Sequence, residues 1–177
     1  MDKKELRRQI REQKRAMTEN EIVAASQRLG ELFLNCRQYQ EAKTIYGYLP
    51  YNQEVRTVPM LEQALRDGKK VAVPKCYGDE MRFIYMDDLS KVAPGYADIP
   101  EPIADDPVAE DKTALVLMPG MAFTEKGDRM GYGGGFYDKF LAAEPEHPTV
   151  ALCYAFQMVE SLPTEEYDIP VDRVVWA

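Results

Sequence analysis

Between Met118 and Asp138 the chain reads Met-Pro-Gly-Met-Ala-Phe-Thr-Glu-Lys-Gly-Asp-Arg-Met-Gly-Tyr-Gly-Gly-Gly-Phe-Tyr-Asp. Gly131 and Gly133 to Gly135 give backbone that can take positive φ and leave the amides open to a ligand. Bare amides leading into a helix form an anion cradle. Arg129 before the glycines adds a planar fork for phosphate, and Asp138 after them adds a carboxylate of the kind that holds Mg²⁺. Phosphate accompanied by a metal is the chemistry this segment predicts. It is not a Walker A loop, because no Lys-Ser or Lys-Thr pair follows the glycines. Nor is it a dinucleotide fingerprint: Phe136 stands where a third glycine belongs, and the glycines lie about a dozen residues beyond the preceding apolar run.

A second basic constellation opens the chain. Lys3 and Arg7 are four residues apart, so on a helix they share a face and can grip one polyphosphate. Leu6, Ile10 and Met17 give that helix, about Lys3 to Met17, a narrow apolar stripe.

The motif Pro-Gly-Met-Ala-Phe followed by Gly-Asp-Arg-Met-Gly-Tyr-Gly-Gly-Gly-Phe-Tyr-Asp resembles the signature of the 5-formyltetrahydrofolate cyclo-ligase family, also called 5,10-methenyltetrahydrofolate synthetases. Met130 replaces the family's usual leucine and Phe136 its first tyrosine, while Gly134 stands where some members have Lys or Arg. The resemblance extends to the first helix, where Lys3 and Arg7 match a pair that contacts ATP. It implies an ATP site over Lys3, Lys4, Glu5, Leu6 and Arg7 and over Arg129, Met130, Gly131, Tyr132, Gly133, Gly134, Gly135, Phe136 and Tyr137. It further implies a folate site of Leu49, Glu54 and Tyr132 to Phe136, with Arg129, Lys3 and Arg7 as the catalytic cations. Asp138 and Asp168 would hold Mg²⁺, with Asp172 a competitor for the second place.

These residues must be positioned by a fold. The chain has 177 residues, 45% hydrophobic, which suits one domain with a sizeable core spanning 1–177. Thr18 and Glu21 form a capping box ahead of a helix through Phe33. Thr44 to Leu49 reads as a buried strand after a polar break at Arg37 to Lys43. Val58 to Leu65 then reads as a helix, with Pro59 near its start and Gly68 past its end. Strands are predicted over Lys70 to Pro74, Met81 to Met86, Leu115 to Met118 and Val150 to Tyr154. From Val92 to Asp111 four prolines predict an irregular connection, and Ile99 to Pro102 within it reads as a rigid surface loop. Alternating strands and helices predict an α/β domain of three layers, α/β/α, around a mainly parallel sheet, which is also the architecture the resemblance implies. The turn from Leu49 to Thr57 then lies at a strand's carboxyl end, where open α/β sheets take their ligands, and Glu54 is its sole carboxylate.

Composition excludes several other functions. Net charge is −8, yet Met1 to Met17 carries +4, so the body is acidic and unsuited to general nucleic-acid binding. No apolar run approaches the roughly 20 residues a membrane span needs, and the charged N-terminus has no signal-peptide core. Three cysteines without a CxxC pair suit buried free thiols in a reducing cytoplasm. A single histidine, His147, leaves no histidine triad or multi-histidine zinc site. The expected protein is a cytoplasmic monomer acting on small molecules, a reduced folate and ATP, with Mg²⁺. The implied reaction cyclises 5-formyltetrahydrofolate to 5,10-methenyltetrahydrofolate with release of ADP and phosphate. A non-catalytic nucleotide-binding module, or a sugar-phosphate or acyl-CoA enzyme of similar layers, is the alternative.

Overall fold

The computed structural model describes residues 2–177. Helix α1 (Lys3–Arg15) begins at Asp2, whose side chain accepts the Glu5 amide. Helix α2 (Glu19–Leu34) has both halves of the Thr18–Glu21 capping box. The expected polar break is instead a short helix, α3 (Arg37–Glu41), whose Tyr39 packs edge-on against Phe33 and so gives this polar stretch an apolar anchor. Strand β1 (Thr44–Tyr46) is shorter than the apolar run around it, because Tyr48 and Leu49 leave the sheet to line a cleft. Helix α4 (Val58–Arg66) has its proline at the start and Gly68 in the left-handed region past its end.

Strands β2 (Lys70–Tyr77) and β3 (Glu80–Tyr85) form a hairpin. The expected irregular connection holds a second hairpin, β4 (Val92–Pro94) and β5 (Pro100–Pro102), since proline is tolerated where a strand has a free edge. β6 (Leu115–Met118) leads into a small two-stranded pair, β7 (Ala122–Phe123) and β8 (Arg129–Met130), which separates the sheet from the glycines. Then come α5 (Phe136–Ala143), β9 (Thr149–Cys153) and β10 (Arg173–Trp176).

The main sheet has the order β10-β9-β6-β1-β2-β3, parallel throughout except for the β2–β3 edge. Its central strands are buried along their whole length, as helices on both faces require. Ile45, Val71, Leu115 and Val150 face Leu29, Phe33 and Leu61 of the α2 and α4 layer. Their sequence neighbours Tyr46, Ala72, Val116 and Ala151 face Leu141 and Phe140 of α5 on the other side. Full burial of a side chain such as Leu61 stabilises by roughly 1.5–3 kcal/mol, which is why these amphipathic helices dock at all. Three layers around a mainly parallel sheet agree with the expectation from the sequence.

His147 lies in the connection between α5 and β9 and is buried. Its Nδ1 lies 2.7 Å from the Ala114 carbonyl oxygen and its Nε2 2.9 Å from Glu144 Oε1. It closes the entry to β9 and belongs to the scaffold. Cys36 and Cys153 are buried as expected, but Cys76 is half-buried and lines the cleft, because β2 runs on past Pro74 to that edge.

Candidate functional site

The sheet topology determines where a ligand can sit. From β1 the chain passes through α4 on one face to β2, and from β6 it passes through α5 on the other face to β9. β1 and β6 are neighbours, so their carboxyl ends diverge and leave a crevice at the switch point. A cleft of about 620 Å³ opens there, floored by Tyr48 and Leu49 after β1 and by Pro119 and Met121 after β6.

Five segments distant in sequence converge on it. Helix α1 lies across its mouth, held by Ile10 and Leu6 packed on Met121, Ala122 and Met130. That packing turns Lys3, Arg7, Arg11, Lys14 and Arg15 toward the cleft. Lys4, Glu5 and Leu6 do not line it: Lys4 is exposed, Glu5 pairs with Arg8, and Leu6 is the apolar foot of the helix. Only every third or fourth side chain of a helix can face one side. Arg11 and Lys14 were missed in the sequence, although they continue the face of Lys3 and Arg7 at helical spacing.

The glycine loop forms one wall. Gly133 and Gly135 have φ of +104° and +71°, and Gly135 is the N-cap of α5. Residues with a Cβ are strained in that region, so the turn requires glycine. Residues Arg129 to Asp138 all line the cleft. Arg129 is almost fully buried. Its Nη1 donates to the Pro119 carbonyl oxygen at 3.0 Å, and its Nη2 lies 3.3 Å from Asp138 Oδ2. Among the described residues its Nε has no hydrogen-bond partner, so the guanidinium retains unused donor capacity beside the loop. Arg7 Nε donates to the Gly131 carbonyl oxygen at 3.4 Å, tying the helix to the loop.

The loop after β1 brings Glu54 to the opposite wall. Its Oε1 accepts the Tyr51 amide at 2.8 Å and its Oε2 accepts the Tyr132 hydroxyl at 3.1 Å. Burial raises its pKa above the usual carboxylate value, against the opposing pull of Lys14, the Tyr51 amide, Tyr132 and Arg56. Lys14 Nζ lies 3.4 Å from the Tyr132 hydroxyl, and its own pKa is lowered, chiefly by burial.

The tail supplies the fourth segment. Val171 donates its amide to the Gly127 carbonyl oxygen at 2.7 Å, and Ile169 donates to Asp138 Oδ1 at 3.4 Å. Asp168 is thereby set beside Asp138 at the cleft, its Oδ2 accepting the Glu165 amide. Asp172 is spent elsewhere. It exchanges hydrogen bonds with Thr149 at the start of β9, through its Oδ2 and its own amide, and so is no competitor for a cleft metal. Among the described residues no group of three or more His, Cys, Asp or Glu side chains could enclose an ion. Two carboxylates suit Mg²⁺, which keeps waters and takes substrate phosphate oxygens as its other ligands.

The β4–β5 hairpin closes the remaining side. Glu101 Oε2 accepts the Cys76 amide at 3.0 Å, and the tip lies with the Tyr96 ring 5.0 Å from Phe136, edge to face. Ile99, Pro100 and Glu101 therefore line the cleft and are not the outlying surface loop expected. Their position depends on the end of β2, far away in sequence.

The arrangement combines a basic wall, a bare amide loop, two adjacent carboxylates and a half-buried glutamate facing an apolar floor. It can bind a polyphosphate beside a flat polar ligand.

Comparison with known proteins identifies the family. The model of the 5-formyltetrahydrofolate cyclo-ligase family matches residues 1–177. The Escherichia coli K12 5-formyltetrahydrofolate cyclo-ligase is 32% identical over 173 residues, covering 94% of this chain and 95% of its own. The mouse enzyme of the same name is 25% identical over 188 residues, covering 98% and 93%. Aquifex aeolicus 5,10-methenyltetrahydrofolate synthetase superposes with a TM-score of 0.85 at 28% identity, covering 99% of this chain and 90% of that one. The Mycoplasma pneumoniae synthetase, at 24% identity and a TM-score of 0.77, attests the fold. The chain belongs to the 5-formyltetrahydrofolate cyclo-ligase family, a family of ligases.

Proposed function

We propose that this chain converts 5-formyltetrahydrofolate and ATP to 5,10-methenyltetrahydrofolate, ADP and phosphate with Mg²⁺. The observation that supports this most is the convergence of Lys3, Arg7 and Arg129 with Glu54 and the bare glycine loop in one cleft at the switch point of the sheet.

The chemical problem is a formamide, whose carbon is a weak electrophile and whose oxygen leaves badly. Phosphorylating that oxygen removes both obstacles. The formyl oxygen attacks the γ-phosphorus and the bond to ADP breaks. The neighbouring anilino nitrogen of the folate then attacks the activated carbon, loses its N–H proton to the departing phosphate, and the ring closes as the carbon–oxygen bond to phosphate breaks. The amide oxygen carries no proton, so the first step asks for no general base.

The protein's part is positioning and electrostatics. Lys3 and Arg7 meet the phosphates from α1, and Arg129 meets them from the loop as the transferring group gains charge. The amides of Gly131 to Gly135 line the phosphate path. Leu49 packs on the folate, and Glu54 accepts from the two N–H groups on the edge of an aminopyrimidinone ring. Tyr132 to Phe136 lie between the two ligands. Asp138 and Asp168 would hold Mg²⁺, which when bound supplies further neutralisation of phosphate charge.

The same reading makes the chain a single domain and a monomer, at work in the cytoplasm on small molecules, with neither nucleic acid nor membrane as partner. Among the described residues no helix is long and apolar enough to cross a membrane. The test is absorbance near ~360 nm, where the conjugated methenyl product absorbs, after mixing protein, 5-formyltetrahydrofolate and Mg²⁺ with and without ATP. Growth of the band only with ATP is expected. ATP binding without the band would reduce the chain to a nucleotide-binding module.

A further inference from the structure

Lys14 is an anomaly. Its side chain is buried at 7% exposure, and its one hydrogen bond among the described residues runs to a neutral hydroxyl, that of Tyr132 at 3.4 Å. A buried ammonium with no carboxylate in ion-pair contact among the described residues is costly, and a leucine or methionine at this buried position of α1 would fill the space more cheaply. The surroundings suggest what holds it there. An ammonium can only donate, so it occupies a lone pair of the Tyr132 oxygen. The single hydroxyl proton is then committed outward, to Glu54 Oε2 at 3.1 Å, while Glu54 Oε1 is held by the Tyr51 amide. The chain runs one way, from ammonium through hydroxyl to carboxylate.

We infer that Lys14 is a positioning residue for the folate site: it acts through Tyr132 to fix the orientation of Glu54. The inference rests on the proposed function, in which Glu54 receives the ring edge of the folate. Tyr132 needs such an anchor. It sits in the glycine run, with positive-φ residues at Gly133 and Gly135 just beyond it, where the backbone alone holds a side chain loosely. Lys14 comes from α1, so the same contact locks that helix across the cleft, as Arg7 does about two turns earlier through the Gly131 carbonyl oxygen. Arg7 is assigned to phosphate and Lys14 to the folate wall, so one helix would set both ligands in register.

The test is a double-mutant cycle read in steady-state kinetics. Lys14→Met keeps the apolar stem, and Lys14→Gln keeps a neutral donor. Lys14→Met is expected to raise KM for 5-formyltetrahydrofolate about tenfold, the scale of one charge-linked hydrogen bond. KM for ATP should stay within about twofold, and Lys14→Gln should recover part of the loss. In a Tyr132→Phe background, the further effect of Lys14→Met should fall to about twofold or less, because the path to Glu54 is already cut. A folate KM within about twofold of wild type in both variants would overturn the inference. So would a tenfold loss that persists in the Tyr132→Phe background, since Lys14 would then act by packing or by touching the ligand itself. If Lys14→Met does not fold, Lys14→Gln against Tyr132→Phe carries the same cycle. A wild-type protein that forms no methenyl product with ATP would instead bring down the proposed reaction, and this inference with it.

Discussion

Arg129 illustrates how one side chain serves two partners. Its guanidinium is clamped between the Pro119 carbonyl oxygen and Asp138, yet among the described residues its Nε is unpaired in a buried setting. A planar fork can keep one hold while offering another face, which a lysine ammonium cannot do. Arg129→Lys is therefore expected to lower kcat by about 10²-fold or more, the scale of losing one preorganised donor. Circular dichroism should stay unchanged, and a variant of normal kcat would remove Arg129 from the phosphate path. Glu54 carries a different tension. Burial raises its pKa, so the folded state holds this proton more tightly than the unfolded chain. The sign follows: Glu54 favours folding most in acid, and that contribution is lost as pH rises from the unfolded carboxylate value through the raised folded one. Glu54→Gln should therefore melt above wild type near ~pH 7, with the difference closing as pH falls toward ~4, while its folate KM rises about 10-fold to 100-fold. Thermal melts across pH and the kinetic assay check the two halves separately. The glycine motif, Arg129 and Glu54 could be selected in the sequence, the last only by resemblance. Lys14 could not, because a lysine on an amphipathic helix reads as solvated until the packing of Ile10 and Leu6 shows which way it turns.

At the scale of elements, the site depends on how segments are pinned to one another. The tail that presents Asp168 is attached at Gly127. There φ is +95°, and a Cβ would stand 2.1 Å from the Val171 carbonyl oxygen. Both the conformation and the space exclude a side chain. Gly127→Ala is expected to destabilise by at least ~1–2 kcal/mol from the left-handed backbone alone, lowering Tm by several degrees. The clash should also move the tail, weakening Mg²⁺-dependent turnover more than nucleotide binding. Titrating Mg²⁺ against activity tests this, and an unchanged requirement would separate Asp168 from the metal. The elements themselves were largely legible. Capping at Thr18, the proline at the start of α4 and the apolar runs of β6 and β9 are local signals. Helix α3 and the β4–β5 hairpin were not, since each is stabilised by partners far off in the chain: Tyr39 against Phe33, and Glu101 against the Cys76 amide.

At the scale of the whole molecule, folding and binding are linked because the cleft is assembled from α1, the β1 loop, the glycine loop and the tail. Ligands that bridge these segments bind the folded state alone. ATP with Mg²⁺ and 5-formyltetrahydrofolate, each at about 100 times its Kd, should add ~2.7 kcal/mol apiece if they bind independently, raising Tm by roughly 5–10 °C per ligand. Differential scanning calorimetry with each ligand alone and with both checks this. A shift with ATP and none with the folate would place the folate outside the cleft. The acidic body, with a basic stripe confined to α1, also suits small anionic ligands better than an extended polyanion.

By itself the sequence determined the three layers, the mainly parallel sheet, the starts of α1, α2 and α4 and the resemblance to the cyclo-ligases, because capping, periodicity and a long glycine motif are written in neighbouring residues. Tertiary structure alone decided that Arg11 and Lys14 join Lys3 and Arg7, that Glu101 and Cys76 meet at the cleft, and that Asp168 and not Asp172 stands beside Asp138. Each of these turns on which way a side chain faces once distant segments have packed. The free energy that makes the choice is burial and hydrogen bonding between those segments, and no single stretch of the chain contains it.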